Sequence, residues 1–356
     1  MKDFLKVIAP GRICLFGEHQ DFLGLGVIAL AINLHIKISG KKREDSFLYI
    51  NMPDINEREI IDLSKPIYYN KPRDYIRSVI NVLKRQGFYL KHGYDVEIKG
   101  DIPINAGTSS SSALVIAWIK FILSSLEVEL SKEEIARIGY LAEVLEFNEP
   151  GGMMDHFTSS IGGVIYVDSN PPFSYEKLSS DISGFVLADS LERKKTLDVL
   201  KSSKERVLEG IKIIKEKKKD FDLRTTPTED ALELANKLPK ELRSGIIANI
   251  YNRDICREAY NMFKYGIVLP EKLGQLLTEH HYHLSLGLNV STPKLDKMVE
   301  IALLNGALGA KLNGSGGGGC MFAYAPGCEE EVAYALEEIG AKSYIVKIDE
   351  GVREIK

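Results

Sequence analysis

Between residues 12 and 21 the chain reads Arg12-Ile13-Cys14-Leu15-Phe16-Gly17-Glu18-His19-Gln20-Asp21. An arginine, two carboxylates and a histidine this close together can grip several hydroxyls at once, because carboxylates accept hydrogen bonds while Arg and His donate them. Gly11 and Gly17 permit turns that other residues resist. Charges scattered on a surface turn are the competing reading of the same residues, and composition alone does not separate the two.

A second patch, Pro103 to Ala113, carries four consecutive serines, Ser109 to Ser112, after Gly107-Thr108. A Gly/Ser turn that opens a helix presents unpaired backbone N–H groups and the positive end of the helix dipole. Such an end suits phosphate, and serine hydroxyls there can ligate Mg²⁺. Capping alone needs one serine, so the run favours a phosphate cradle. The third patch, Gly309 to Cys320, contains a formal Gly-x-Gly-x-x-Gly at Gly314, Gly316 and Gly319. A dinucleotide site is excluded by context, since a strand-like Cys-Met-Phe-Ala-Tyr-Ala follows it rather than a helix. No Gly-Lys-Ser/Thr occurs there, so it is not a P-loop either. Glycines at this density let backbone approach a ligand or another loop closely, and the apolar flanks argue against a linker.

The elements that must position these patches alternate irregularly, without the even beat of a doubly wound sheet. Residues 25–39 and the alternating Tyr94 to Lys99 read as strands, the latter ending at the turn signal Gly100-Asp101-Ile102-Pro103. Residues 113–123 are apolar and long enough for a buried helix, in which Trp118 reads as core. Ser131-Lys132-Glu133-Glu134 has capping-box spacing. Ile135, Ile138, Leu141, Ala142 and Leu145 then mark one face of a helix ending near Pro150. Residues 162–167 return to strand, and residues 197–219 read as an amphipathic helix with a solvated lysine-rich face. A strand over 319–324, a helix over 329–339 and a strand over 341–348 close the chain. The character shifts at Pro171-Pro172, and 356 residues exceed one comfortable core, so two domains are expected, 1–170 and 171–356.

Hydrophobic residues at 44%, charged residues at 27% and a net charge of −4 with both signs interleaved point to a globular protein with no nucleic-acid and no membrane partner. Any anionic substrate must therefore be neutralised locally. Cys14, Cys256, Cys320 and Cys328 show neither metal-type pairing nor a disulfide framework and read as reduced thiols of a cytoplasmic protein. Met1 to Pro10 lacks the apolar core of a signal peptide, and no apolar run is long enough to span a bilayer. His280, His281 and His283 lack the i, i+4 spacing of helical zinc motifs and are read against a metal site. Lys311 reads equally as a phosphate contact or a solvated side chain.

Taken in order, the three patches resemble the signature motifs of the galactokinase–homoserine kinase–mevalonate kinase–phosphomevalonate kinase (GHMP) superfamily, over most of the chain. Gly17-Glu18-His19-Gln20-Asp21 most resembles the galactokinase-like sugar kinases; mevalonate kinases share Gly-Glu-His but not the aspartate. The resemblance implies a two-domain α+β GHMP kinase fold, with a ribosomal S5 domain 2-like N-terminal domain, a ferredoxin-like C-terminal domain and ATP between them. It implies transfer of the γ-phosphate of ATP, with Mg²⁺ as cofactor, to a hydroxyl of a monosaccharide, the anomeric hydroxyl first. Arg12, Glu18, His19, Asp21 and Gly152 would hold the sugar, and Asp155, from Gly152-Met153-Met154-Asp155, would accept the proton while Arg12 keeps it ionised. Gly107, Thr108, Ser109, Ser110, Ser111 and Ser112 would cradle the ATP phosphates. Glu143 with Ser111, or Ser110 in its place, would hold Mg²⁺, and Gly316, Gly317, Gly318 and Gly319 would brace the serine loop.

Gln20-Asp21-Phe22-Leu23 stands where galactokinases have Thr-Asp-Tyr-Asn, and the charged residues 191–198 carry no tyrosine where those enzymes contact sugar. The resemblance thus implies a sugar or polyol rather than galactose itself. A mevalonate kinase-like alcohol kinase and a non-catalytic sugar sensor are the alternatives, the second opposed by the presence of both Glu143 and Asp155. The implied partners are ATP and a small-molecule sugar, on a monomer or homodimer.

Overall fold

The computed structural model describes residues 3–149, 151–178, 181–192 and 196–355. Its strands in chain order are β1 (Phe4–Phe16), β2 (Val27–Lys42), β3 (Phe47–Met52), β4 (Glu57–Asp62), β5 (Tyr94–Gly100), β6 (Val164–Asp168) and β7 (Ser174–Leu178). These are followed by β8 (Phe185–Asp189), β9 (Gly309–Leu312), β10 (Cys320–Tyr324), β11 (Lys342–Val346) and β12 (Arg353–Glu354). The helices are α1 (Tyr75–Arg85), α2 (Ser110–Ser125), α3 (Lys132–Tyr140), α4 (Met154–Ile161), α5 (Thr196–Lys217), α6 (Thr228–Asn236), α7 (Lys240–Lys264), α8 (Pro270–Tyr282), α9 (Pro293–Leu304) and α10 (Glu329–Glu338).

Among the described residues the strands form two sheets. The eight-stranded sheet runs β12-β1-β2-β5-β3-β4, with β6 on β2 and β7 on β6. The four-stranded sheet runs β11-β8-β10-β9, so the closing strand–helix–strand unit flanks β8 instead of pairing with itself. Sheet and helix are segregated in an α+β manner within two domains.

Helix α2 is apolar on all sides because it is covered on all sides. Trp118 stacks on Phe121 at 5.3 Å and donates its indole N–H to the Ile76 carbonyl at 3.1 Å, so its one polar atom is satisfied in the core. Both halves of the Ser131/Glu134 capping box are present at the start of α3. The regular helix then stops at Tyr140 and continues as a π-helical turn, Leu141–Leu145. This corrects the expectation of an uninterrupted amphipathic helix running toward Pro150, a residue outside the described ones. The widened turn carries Glu143 on its buried side, with Ala142 and Val144.

The two sheets are joined at a buried charge. Lys311, on β9, is completely inaccessible, which corrects both readings of it as phosphate contact or solvated lysine. Its ammonium donates to the carbonyls of Cys14 at 2.9 Å and Leu312 at 2.8 Å and pairs with the Glu18 carboxylate. Glu18 Oε1 accepts the backbone N–H of Gly314. Beside it, the buried Asn313 amide accepts from Cys14 N at 2.9 Å and donates to the Gly107 carbonyl at 2.9 Å. All three sequence patches are therefore bound to one another through the buried side chains of Lys311, Glu18 and Asn313.

Removing one partner of such a pair leaves a bare buried charge. Lys311→Met is expected to destabilise the fold by about 3–5 kcal/mol. Urea unfolding followed by circular dichroism measures this; a loss under 1 kcal/mol would show that the pair is not buried as described.

Candidate active site

The end of β1 is irregular where the chemistry begins. Its register against β2 shifts between Pro10 and Gly11 and again between Cys14 and Phe16, and such bulges re-aim side chains. Arg12 lies between the two shifts. Its Nε donates to Asp155 Oδ1 at 2.7 Å and its Nη1 donates to the Gly107 carbonyl. One guanidinium thus joins the first patch to the serine turn and to the start of α4.

Burial works against the Asp155 charge, but the Arg12 charge and hydrogen bond outweigh it and hold the carboxyl below the usual carboxylate range. Asp21 behaves oppositely. Burial, with the nearby Asp155 charge adding to it, pushes its pKa up, and Lys204 offsets only part of that rise. Asp21 opens a short 3₁₀ turn and accepts the Phe22 N–H on Oδ1 at 2.8 Å. Its Oδ2 fits only because residue 152 is glycine: a Cβ there would lie 2.0 Å from it.

The serine turn is shaped by backbone that most residues avoid, with Asn105 at φ 56° and Ser109 at φ 60°. Ser110 begins α2, so the residues around it present the helix N-terminus. The turn is pressed from behind by the third patch. A Cβ on Gly314 would lie 2.7 Å from the Gly107 carbonyl oxygen, and one on Gly319 would lie 2.6 Å from that of Ala106. Bracing by Gly316 to Gly319 is therefore only partly as expected. Gly319 and the preceding Gly314 meet the serine turn, whereas Gly316 packs on the Val290 backbone and Gly317 donates to the Val290 carbonyl at 2.8 Å.

Glu143 and His156 form the remaining pair, both buried, with His156 Nε2 2.8 Å from Glu143 Oε2. His156 Nδ1 is buried without a partner, so the proton resides on Nε2 and is donated to the carboxylate. Tyr140 meets the imidazole edge-on at 5.9 Å, and a Cβ at Gly139 would lie 3.1 Å from the ring. Among the described residues, no group of three His, Cys, Asp or Glu side chains could hold a metal by itself. The donor set of one carboxylate and nearby hydroxyls instead suits a hard cation that arrives on nucleotide phosphates, as Mg²⁺ does.

Arg12, Glu18, His19, Asp21, Gly107, Ser109, Ser110, Ser111, Ser112, Glu143, Gly152 and Asp155 line one cavity of about 300 Å³. Thr108 is absent from that lining. It is buried, its hydroxyl donates to the Pro103 carbonyl at 3.2 Å, and its side chain holds the turn from within. Glu18 reaches the wall with both oxygens already engaged by Lys311 and Gly314. His19 Nε2 lies 3.1 Å from the Ser315 carbonyl. Gln20 turns away, donating to the Asn249 carbonyl at 2.8 Å. His281 contacts Leu312 N at 3.3 Å and pairs with Asp296 at 3.1 Å, bracing β9 at a distance from the cavity wall.

Sequence reading missed Asn313, His156, Arg73, Glu149 and Lys204. Asn313 lay in plain view beside the glycines, and His156 directly follows Asp155; no local signal marked the others.

A GHMP kinase N-terminal domain matches residues 74–163, a GHMP kinase C-terminal domain matches 269–342, and a galactokinase galactose-binding signature matches 4–42. A mevalonate kinase of Pyrococcus abyssi is 32% identical over 355 residues, covering 97% of this chain and 96% of the relative. A galactokinase of Thermococcus kodakarensis is 28% identical over 363 residues, covering 98% and 99%. The crystal structure of Lactococcus lactis galactokinase complexed with galactose superposes with a TM-score of 0.84 at 23% identity, over 99% of this chain and 96% of that one. The family domains and relatives define an ATP-dependent phosphotransferase. The chain belongs to the GHMP kinases. Within that family the expected galactokinase branch is not the one favoured by identity, since the mevalonate kinases align at 30–32%.

Two outcomes follow from this geometry. His156→Leu is expected to weaken Mn²⁺ binding in the presence of a non-hydrolysable ATP analogue by about 10–100-fold, whereas His156→Gln, which keeps an N–H donor, recovers most of it. Electron paramagnetic resonance of the bound Mn²⁺ reports this directly. Arg12→Met removes the largest effect opposing burial at Asp155, so its pKa rises, and the acid limb of the kcat/KM profile is expected to move to higher pH. An unmoved limb would separate Asp155 from that titration.

Proposed function

We propose that the cavity transfers the γ-phosphoryl group of ATP to a hydroxyl of a small polyhydroxylated alcohol, with Asp155 beside the attacking oxygen. The observation that carries this reading is the shared wall: the serine helix start, the buried Glu143 and the Arg12-held Asp155 border the same 300 Å³. Phosphoryl transfer needs positioning and neutralisation of charge more than covalent chemistry. The backbone of Gly107 to Ser112 and the α2 N-terminus would receive the phosphates. Glu143, held by His156, and Ser111, with Ser110 as second choice, would hold Mg²⁺, which supplies charge neutralisation on the transferred group. Asp155, ionised at neutral pH, would accept the proton of the attacking hydroxyl.

For the acceptor, the geometry supports a monosaccharide. Asp21 faces the cavity with one oxygen spare, inside the segment that matches a galactose-binding signature. A mevalonate-like acceptor is the second reading, favoured by the higher identity of the curated mevalonate kinases.

A coupled ADP-release screen across hexoses, pentoses, uronic acids and mevalonate tests both readings. Asp155→Asn is expected to lower kcat by about 10²–10⁴-fold. Near-normal turnover would remove Asp155 as base. Glu143→Gln is expected to lose activity that high Mg²⁺ partly restores, and an unchanged Mg²⁺ dependence would count against its role as ligand.

A further inference from the structure

The charges around the cavity are nearly all spoken for. Arg12 is paired with Asp155, Arg73 with Glu149, Lys311 with Glu18, and His156 donates to Glu143. Two charged groups in the wall are left over, Asp21 and Lys204. They lie near enough for Lys204 to influence Asp21 electrostatically, yet among the described residues they form no ion pair with each other. Asp21 is engaged only through Oδ1, by its own turn. The Lys204 ammonium lies over the Phe22 ring at 5.1 Å, its one described contact, and the side chain is half-buried.

A half-buried ammonium and a carboxylate that flank one space without pairing ask for a ligand with complementary ends. Hydroxyls can donate to Asp21, and a negative group can accept from Lys204. We infer that the acceptor is an acidic alcohol whose carboxylate is received by Lys204 while its hydroxyls are read by Asp21. A carboxylate fits better than a phosphate. Asp21 stands beside the lysine, and a dianion there would meet one cation against a neighbouring anion. Neutralising phosphate ordinarily takes more positive charge, often a bidentate arginine. The protein as a whole is net negative, so an anionic acceptor needs a local cation of this kind. Lys204 is carried on α5, outside the three sequence patches, so acceptor charge can be selected independently of the phosphate machinery.

This inference rests on the kinase reading, and its test separates the two. ADP release is measured for wild type and Lys204→Met with matched acceptors: galacturonate against galactose, glucuronate against glucose, mevalonate, and glucose 6-phosphate. The wild type is expected to favour a carboxylate acceptor over its neutral counterpart by tenfold or more in kcat/KM. In Lys204→Met that ratio is expected to collapse by about 10–100-fold, mainly through KM, the size of a lost hydrogen bond to a charged group. Lys204→Arg, which keeps the charge, should retain most of the preference. A wild type that prefers the neutral sugar or the sugar phosphate overturns the inference and leaves the kinase reading standing. So does a preference for carboxylate that survives in Lys204→Met. Absence of ADP release with every acceptor overturns both.

Discussion

An ammonium group with no access to water sits where the two sheets meet, and the architecture of the site depends on its being satisfied. Lys311 is flanked by the Phe322 ring at 5.1 Å and has the Cys14 and Leu312 carbonyls and the Glu18 carboxylate as partners. Burying a charge costs several kcal/mol unless its partners are in place, so the arrangement tolerates few alternatives. Those partners come from β1, β9 and the loop after β1. Whatever fixes Lys311 therefore also fixes Glu18, the Gly314 backbone and, through neighbouring Asn313, the Gly107 carbonyl. The position of the serine turn is set by groups whose own hydrogen bonds are already made within the protein.

The same logic extends outward to Arg12, which is buried but borders the cavity. Its guanidinium divides its donors between a backbone carbonyl in the serine turn and the Asp155 carboxylate. A carboxylate buried alone would be driven toward its neutral form, and the adjacent Arg12 cation, with the Ser109 hydroxyl and His156 adding to it, keeps Asp155 charged. Asp21, a few residues away in the same wall, lacks such a partner and is shifted the other way. Two carboxylates with opposite tendencies thus share one cavity, one held ionised and one pushed toward its neutral form.

The sequence made the three patches legible because each used local chemistry: clustered charges, serines at a helix start, glycines between apolar strands. The capping box at Ser131 and the apolar run of α2 were legible for the same reason, since capping and burial leave periodic traces. What did not show was long-range. Lysines are read as surface residues, and nothing near Lys311 announces that Glu18, 293 positions away, will neutralise it. Thr108 was grouped with the serines through the backbone of the turn, and nothing local showed that its hydroxyl would be tied to the Pro103 carbonyl. The π-turn at Leu141–Leu145 escaped because the apolar spacing of a regular helix ran straight through it. Lys204 belongs to a helix whose lysines read as a solvated face, and only the fold brings one of them to the cavity.

The split between mevalonate kinases and galactokinases among the relatives has a physical reading. Identity over the whole chain is weighted by core and phosphate-binding residues, which any member of this fold must keep to bury its helices and present the α2 N-terminus. The acceptor proposed above would meet only the few side chains at one end of the cavity, here Asp21, His19, Lys204 and the space left by Gly152. A handful of substitutions there changes the ligand while barely moving the overall percentage. The difference between 32% and 28% identity, taken over the whole chain, does not single out the acceptor end. The weight belongs instead on Asp21 and Lys204, which among the described residues form no ion pair, because free energy gained on binding comes from groups the ligand completes rather than from groups already satisfied.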